Sequence, residues 1–256
     1  MAFNAYAFLF GHIVGDSEIS NLNFVTESPS VDTGIKLVGY INENGSSAFD
    51  VILDNITIEG VARYTDNNTG LFVYWAGDSN LTISNCSNYA TIYNNSGYTG
   101  IFVGRAYTYA TEKSHCKNIA FVNCVNYGMI VNTNSSGWAS MLISNPSDID
   151  DTFDITVSNC VNYGNIFAKN INLVTGNNII GDDTIVNNGM SATGSYGELT
   201  VDDGKFIVPV ATGAVRYEMV FSFGGAAIGG GTTSEVFSLT EDDLTSVDAY
   251  EWVDYS

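Results

Sequence analysis

Four cysteines, two histidines and a scatter of acidic side chains are the residues with chemistry to offer. Cys86, Cys116, Cys124 and Cys160 form no Cys-x-x-Cys pair, so neither a zinc ribbon nor a dithiol redox motif is indicated. Three of them, Cys86, Cys124 and Cys160, recur at one point of a repeated segment. Side chains stacked in parallel register make poor disulfide geometry, and buried small thiols are the expectation. His12 and His115 lie far apart in the chain, and neither neighbours a nucleophile. Cleaving a glycosidic bond by acid–base catalysis needs paired carboxylates on one face, and calcium-assisted chemistry needs a dense acidic loop. The carboxylates read instead as loop residues, Asp148, Asp150 and Asp151 or Asp182 and Asp183, and the repeat strands are expected to carry few on their outward side. The basic residues Lys36, Arg63, Arg105, Lys113, Lys117 and Lys169 are scattered. Asp182-Asp183 and Asp202-Asp203-Gly204 match no calcium loop. The expectation is a chain with no catalytic residue, no cofactor and no metal.

The elements that position these residues are repeats. Three segments are nearly the same: Asn80 to Ile92 (NLTISNCSNYATI), Asn118 to Ile130 (NIAFVNCVNYGMI) and Asp154 to Ile166 (DITVSNCVNYGNI). Two degenerate copies precede them, beginning at Asn21 (NLNFV) and Asn55 (NITIE). A second motif accompanies each copy: AFLFG from Ala7, GIKLVG from Gly34, GLFVY from Gly70, GIFVG from Gly100 and ASMLI from Ala139. The shortest interval between copies is 25 residues, and one turn of a three-sided β-solenoid needs on the order of 20–25 residues. Within each copy the apolar period is two, as in a strand: Leu22/Phe24, Ile56/Ile58, Leu81/Ile83, Ile119/Phe121 and Ile155/Val157 point inward. The fold expected is therefore all-β, a right-handed parallel β-helix over 1–194.

Stacked coils place equivalent residues in columns. Ile92, Ile130 and Ile166 read as an inward column, and Asn85, Asn123 and Asn159 as a buried amide ladder. Asn88, Asn126 and Asn162 read as turn residues, where Asn tolerates a left-handed backbone, with Tyr89, Tyr127 and Tyr163 stacked beside them. The Asn-Cys-x-Asn-Tyr-Gly-x-Ile signature, preceded by Gly-Ile-Phe-Val-Gly, resembles the GLUG-type parallel β-helix repeats of large surface proteins. That resemblance covers roughly residues 5–190 and implies a cell-surface stalk or adhesive role.

Composition narrows the partner classes. The 256 residues carry a formal charge of −20, with charged residues only 14% and hydrophobic ones 45%. A surface of that sign repels phosphate backbones and anionic lipid, so nucleic acid is excluded as an expected partner. No apolar run of about eighteen residues exists, so no membrane insertion is expected in this segment. Met1 to Phe10 lacks a basic leader and reads as a strand. The sequence begins in mid-pattern and is expected to be part of a longer chain or filament. Seven Asn-x-Ser/Thr sequons, at Asn44, Asn55, Asn67, Asn80, Asn85, Asn94 and Asn134, matter only in a eukaryotic secretory route. Residues 195–256 break the pattern: Leu199 to Val210 reads as a hairpin with an Asp-Asp-Gly turn, and Arg216 to Phe223 as another strand, together a small β module or cap with an acidic tail.

These readings converge on an extracellular or cell-surface solenoid that binds protein or glycan. Coil strands are committed to stacking, so recognition falls to the insertions Tyr107 to Lys117, Asn132 to Trp138 and Asn145 to Phe153. Tyr107, Tyr109 and Trp138 beside Asp148, Asp150 and Asp151 are the expected partner-binding residues, aromatic faces flanked by acceptors. Further aromatics, Tyr64, Tyr74, Trp75, Tyr93 and Tyr98, fall in loops or strand ends, where core and corner packing accounts for most of them. Two alternatives stand beside this reading. One is a carbohydrate-active β-helix enzyme, a polysaccharide lyase or glycosidase. The other is ice binding through a flat outward face of Asn23, Thr57, Thr82, Ala120 and Thr156 beside Val25, Glu59, Ser84, Val122 and Ser158; Thr and Val are also ordinary strand formers.

Overall fold

The computed structural model describes residues 7–27, 34–42, 48–106, 117–145, 153–175, 185–189, 191–193, 200–202, 205–207, 216–222, 234–240 and 250–251. The chain divides into two compact units, Met1–Tyr196 and Gly197–Ser256. Among the described residues every regular element is a β-strand.

The first unit is a parallel β-solenoid. One coil shows the plan: Asn80–Ser84, a corner at Asn85, Ser87–Asn88, Thr91–Asn94, a turn, Tyr98–Gly100, then Val103–Ala106. The first three strands join a 13-stranded sheet, Tyr98–Gly100 joins a four-stranded sheet, and Val103–Ala106 joins a five-stranded sheet. Each strand pairs in parallel with its equivalents above and below: Asn118 with Asn80, Tyr98 with Asn68 and Trp138, Val103 with Val73 and Ile143. The inward side chains of all coils form one core, within which Leu81, Ile83, Cys86, Ile92, Phe102, Phe121 and Ile130 are fully buried. Burying each Leu, Ile or Phe stabilises the stack by roughly 1.5–3 kcal/mol. No single backbone hydrogen bond contributes as much on balance.

The register corrects the expected repeat boundaries. Asp50, not Asn55, lies beside Asn80, and Asn55 occupies the corner position of Asn85. The coil lengths are 34, 30, 38 and 36 residues along this column. The 25-residue step occurs instead between Asn162 and Asn187. Val51/Leu53 and Ile56/Ile58 are two apolar pairs of the same period on either side of Asn55, so alternation alone cannot fix which of them matches Leu81/Ile83. The outward columns shift accordingly. Ile52, Thr82, Ala120 and Thr156 align, whereas Thr57 aligns with Ser87 and Asn23. The outward column read from the sequence as Asn23, Thr57, Thr82, Ala120 and Thr156 is thereby split, with Asn23 and Thr57 in a separate column.

The second unit contains antiparallel pairs. Thr200–Asp202 pairs with Lys205–Ile207, with Asp202 opposite Lys205, and Lys205–Ile207 pairs with Tyr250–Glu251. Arg216–Ser222 pairs with Ser234–Thr240.

Candidate functional site

The repeat signature builds one corner of the solenoid. Asn85, Asn123 and Asn159 each take φ of +53°, as Asn21 and Asn55 do at 57° and 51°. Asparagine is among the few L-residues that adopt this left-handed geometry at small cost. The kink also shifts the alternation by one residue. Leu81 and Ile83 point in, Asn85 points out, and Cys86, Asn88, Ala90 and Ile92 point in again.

The two asparagine columns therefore exchange the roles expected of them. Asn85, Asn123 and Asn159 are exposed, not buried, and form an outer ladder, with Asn123 Nδ2 donating to Asn85 Oδ1 at 2.9 Å. Asn88, Asn126 and Asn162 are fully buried and form the inner ladder. Asn88 Nδ2 donates to Asn126 Oδ1 at 2.8 Å, Asn126 Nδ2 to Asn162 Oδ1 at 2.7 Å, and Asn162 Nδ2 to Asn187 Oδ1 at 2.8 Å. Each inner amide also closes its own turn: Asn126 Oδ1 accepts from Gly128 N, and its Nδ2 donates to Gly128 O. The turn must pack tightly on its neighbour. A Cβ placed on Gly164 would lie 1.8 Å from Gly128 O, which explains the glycine of the Asn-Tyr-Gly motif. In earlier coils Ile58 and Phe24 hold the place of the inner amide.

The other columns form as expected. Tyr127 stacks on Tyr89 at 4.7 Å and on Tyr163 at 5.2 Å, near-parallel, with about half of each side chain exposed. Partial burial raises the Tyr89 hydroxyl above its ordinary value, with Tyr127 and Glu59 adding to it. Cys86, Cys124 and Cys160 are buried free thiols within reach of backbone carbonyls, Cys86 Sγ lying 3.1 Å from Ser84 O and Cys124 Sγ 3.3 Å from Ile83 O. Burial pushes the Cys86 thiol up to about 12, which keeps it in the unreactive protonated form. Contact with Cys160 and burial raise Cys124 as well.

Of the expected partner-binding residues, Trp138 lies within the described structure. Tyr107, Tyr109, Asp148, Asp150 and Asp151 lie outside it, as do His115, Cys116, Asp182, Asp183 and Asp203. Trp138 is half-buried at the start of a strand, between Tyr98 and Asn170. The strands Val103–Ala106 and Ile143–Asn145 run in register, and Asn145 Nδ2 donates to Asn68 Oδ1, Asn68 being in register with Tyr98. Ala106 and Asn145 are the last described residues before the two insertions, and Asn68, which Asn145 reaches, lies two coils before Trp138 in its column.

The aromatics at strand ends pack as expected: Tyr64 and Tyr74 are buried, and Tyr93, Tyr98 and Trp75 are half-buried. The most exposed aromatics of the repeat corner are Tyr89, Tyr127 and Tyr163. Carboxylates do occur on the early coils: Asp50 accepts from Asn80 Nδ2 at 2.8 Å, and Asp54 accepts from Ser84 Oγ at 2.6 Å and Asn85 Nδ2 at 2.8 Å. Those hydrogen bonds hold the Asp54 carboxyl below its usual 3.8. His12 stacks on Tyr40, Tyr40 meets Trp75 edge-on, and the Arg105 guanidinium lies 4.9 Å over Trp75. That row on the five-stranded sheet has no counterpart in the sequence motifs. Among the described residues no group of three His, Cys, Asp or Glu side chains is arranged to hold a metal ion.

Fold and corner together define the class: a parallel β-solenoid whose coils are locked by inner and outer asparagine ladders. Comparison with family models, with curated proteins and with solved structures finds no match.

Proposed function

We propose that this chain is a non-enzymatic structural and adhesive module of an extracellular or cell-surface protein, binding a protein or glycan partner at the Trp138 edge. The observation that supports it is the commitment of the repeat's polar side chains to the stack. The inner amides bond to one another and to their own turns, and the thiols face backbone carbonyls. Such a stack has its freedom for recognition in insertions, and those that follow Ala106 and Asn145 carry Tyr107, Tyr109, Asp148, Asp150 and Asp151, which this reading groups with Trp138. Amphipathic aromatics flanked by carboxylates suit a sugar ring or a basic protein loop. The −20 charge argues against nucleic acid. The likeness of the Asn-Cys-x-Asn-Tyr-Gly repeat to GLUG-type surface proteins favours the same reading.

A glycan array probed with the wild-type chain and with Trp138→Ala tests it, circular dichroism confirming that the variant is folded. Binding by the wild type and at least tenfold weaker binding by the variant is the expected result. Equal binding by both removes the assigned surface. Release of reducing or unsaturated ends from an arrayed polysaccharide establishes the carbohydrate-active alternative instead.

A further inference from the structure

Lys36 was one of several scattered basic residues in the sequence. In the structure it is fully buried, at the start of the strand Lys36–Ile41. Its Nζ lies 2.6 Å from Asp66 Oδ2, and the Asp66 side chain is 5% exposed. Aromatic rings close around the amine, with centroids 4.1 Å away for Tyr64, 4.9 Å for Tyr74 and 5.9 Å for Phe8. Asp66 is steadied from the next coil, where Asn94 Nδ2 donates to its backbone carbonyl at 3.1 Å.

From this geometry we propose that Lys36 and Asp66 condense to an intramolecular isopeptide bond. In water an ammonium and a carboxylate do not condense, because both ions are hydrated and water, the product, is in excess. Burial removes both obstacles. The charges lose hydration that their mutual attraction does not fully restore. The rings attract the ammonium, but they replace only part of that hydration while keeping water out. A proton passing from Nζ to Oδ2 along the short contact leaves a neutral amine beside a neutral acid. The amine lone pair then adds to Cγ, the carbon bonded to the contact oxygen. The adduct expels Oδ2 as water, carrying the proton it received and a second from the same nitrogen. One C–N bond forms, one C–O bond breaks, nothing is oxidised or reduced, and no co-reactant is consumed. Holding the two groups in contact supplies the effective concentration that such a step needs. The product ties residues thirty positions apart, a covalent link between neighbouring coils. This inference is independent of the binding role proposed for the Trp138 edge.

Intact mass spectrometry of the folded full-length chain, incubated and then denatured, tests it. The expected mass is one water below that of the sequence. Trypsin should release the Lys36 and Asp66 peptides as a single branched species, uncleaved after Lys36, and Asp66→Ala should return the full sequence mass. A wild-type mass equal to the sequence mass, or separate linear Lys36 and Asp66 peptides, overturns the proposal. So does a one-water deficit that persists in Asp66→Ala, because the water was then lost elsewhere.

Discussion

Replacing Asn126 by Leu probes the inner ladder at nearly constant side-chain size. Asn126 makes four buried polar contacts. It donates to Asn162 Oδ1 at 2.7 Å and to Gly128 O at 2.9 Å, and accepts from Asn88 Nδ2 at 2.8 Å and from Gly128 N at 3.0 Å. Two of these partners have a second contact: Asn88 Nδ2 also reaches Ala90 O, and Gly128 N also reaches Asn88 O. The acceptors Asn162 Oδ1 and Gly128 O each lose a donor in a site closed to water. An unsatisfied buried polar group costs about 1–3 kcal/mol, so two of them should destabilise the solenoid by about 2–6 kcal/mol. For a unit of this size that is a fall in Tm of about 4–24 °C. The comparison that sharpens the test is Asn123→Gly. Asn123 is exposed, so water replaces its ladder partners, and glycine keeps the left-handed corner at φ +53° without strain. Urea unfolding followed by far-ultraviolet circular dichroism should rank Asn126→Leu well below Asn123→Gly, the latter within about 1 kcal/mol of wild type. Equal losses, or a larger loss at Asn123, would refute the assignment of the inner column as the one that locks the coils.

Two further perturbations follow from the same corner. Gly164→Ala drives a methyl group to within 1.8 Å of Gly128 O and should cost at least about 1–3 kcal/mol by overpacking; a thermal melt unchanged from wild type would show that the turns are not so closely stacked. Asp54, held below its usual 3.8 by Ser84 and Asn85, should add stability that is complete above the unfolded value and is lost as pH falls through the folded one. The Tm gap between wild type and Asp54→Asn should accordingly be widest near neutrality and close as the pH drops below 3.8, and a gap that widens in acid would contradict the sign.

The parallel solenoid and most of its columns were legible in the sequence because they depend only on spacing. Leu81 and Ile83, Cys86 and Ile92 recur at fixed offsets in three copies. Identical offsets in stacked coils must superpose, so the isoleucine, cysteine and tyrosine columns follow without knowledge of the backbone. Which asparagine column faces inward does not follow, because that depends on the sign of φ at Asn85, Asn123 and Asn159. A left-handed residue reverses the alternation after it, and a residue code of period two carries no mark of where the reversal falls. The same ambiguity misplaced the first coils, where two apolar pairs of equal period flank Asn55 and pairing across the sheet chose between them. The Lys36–Asp66 contact lay further out of reach. Nothing in the local sequence around Lys36 distinguishes it from the other basic residues. Only the return of the chain thirty residues later, with Tyr64 and Tyr74 closing over the amine, turns a lone charge into a buried pair. Repetition fixes what stacks on what, whereas the facing of each side chain and the meeting of unrepeated residues are settled by the path of the backbone in space.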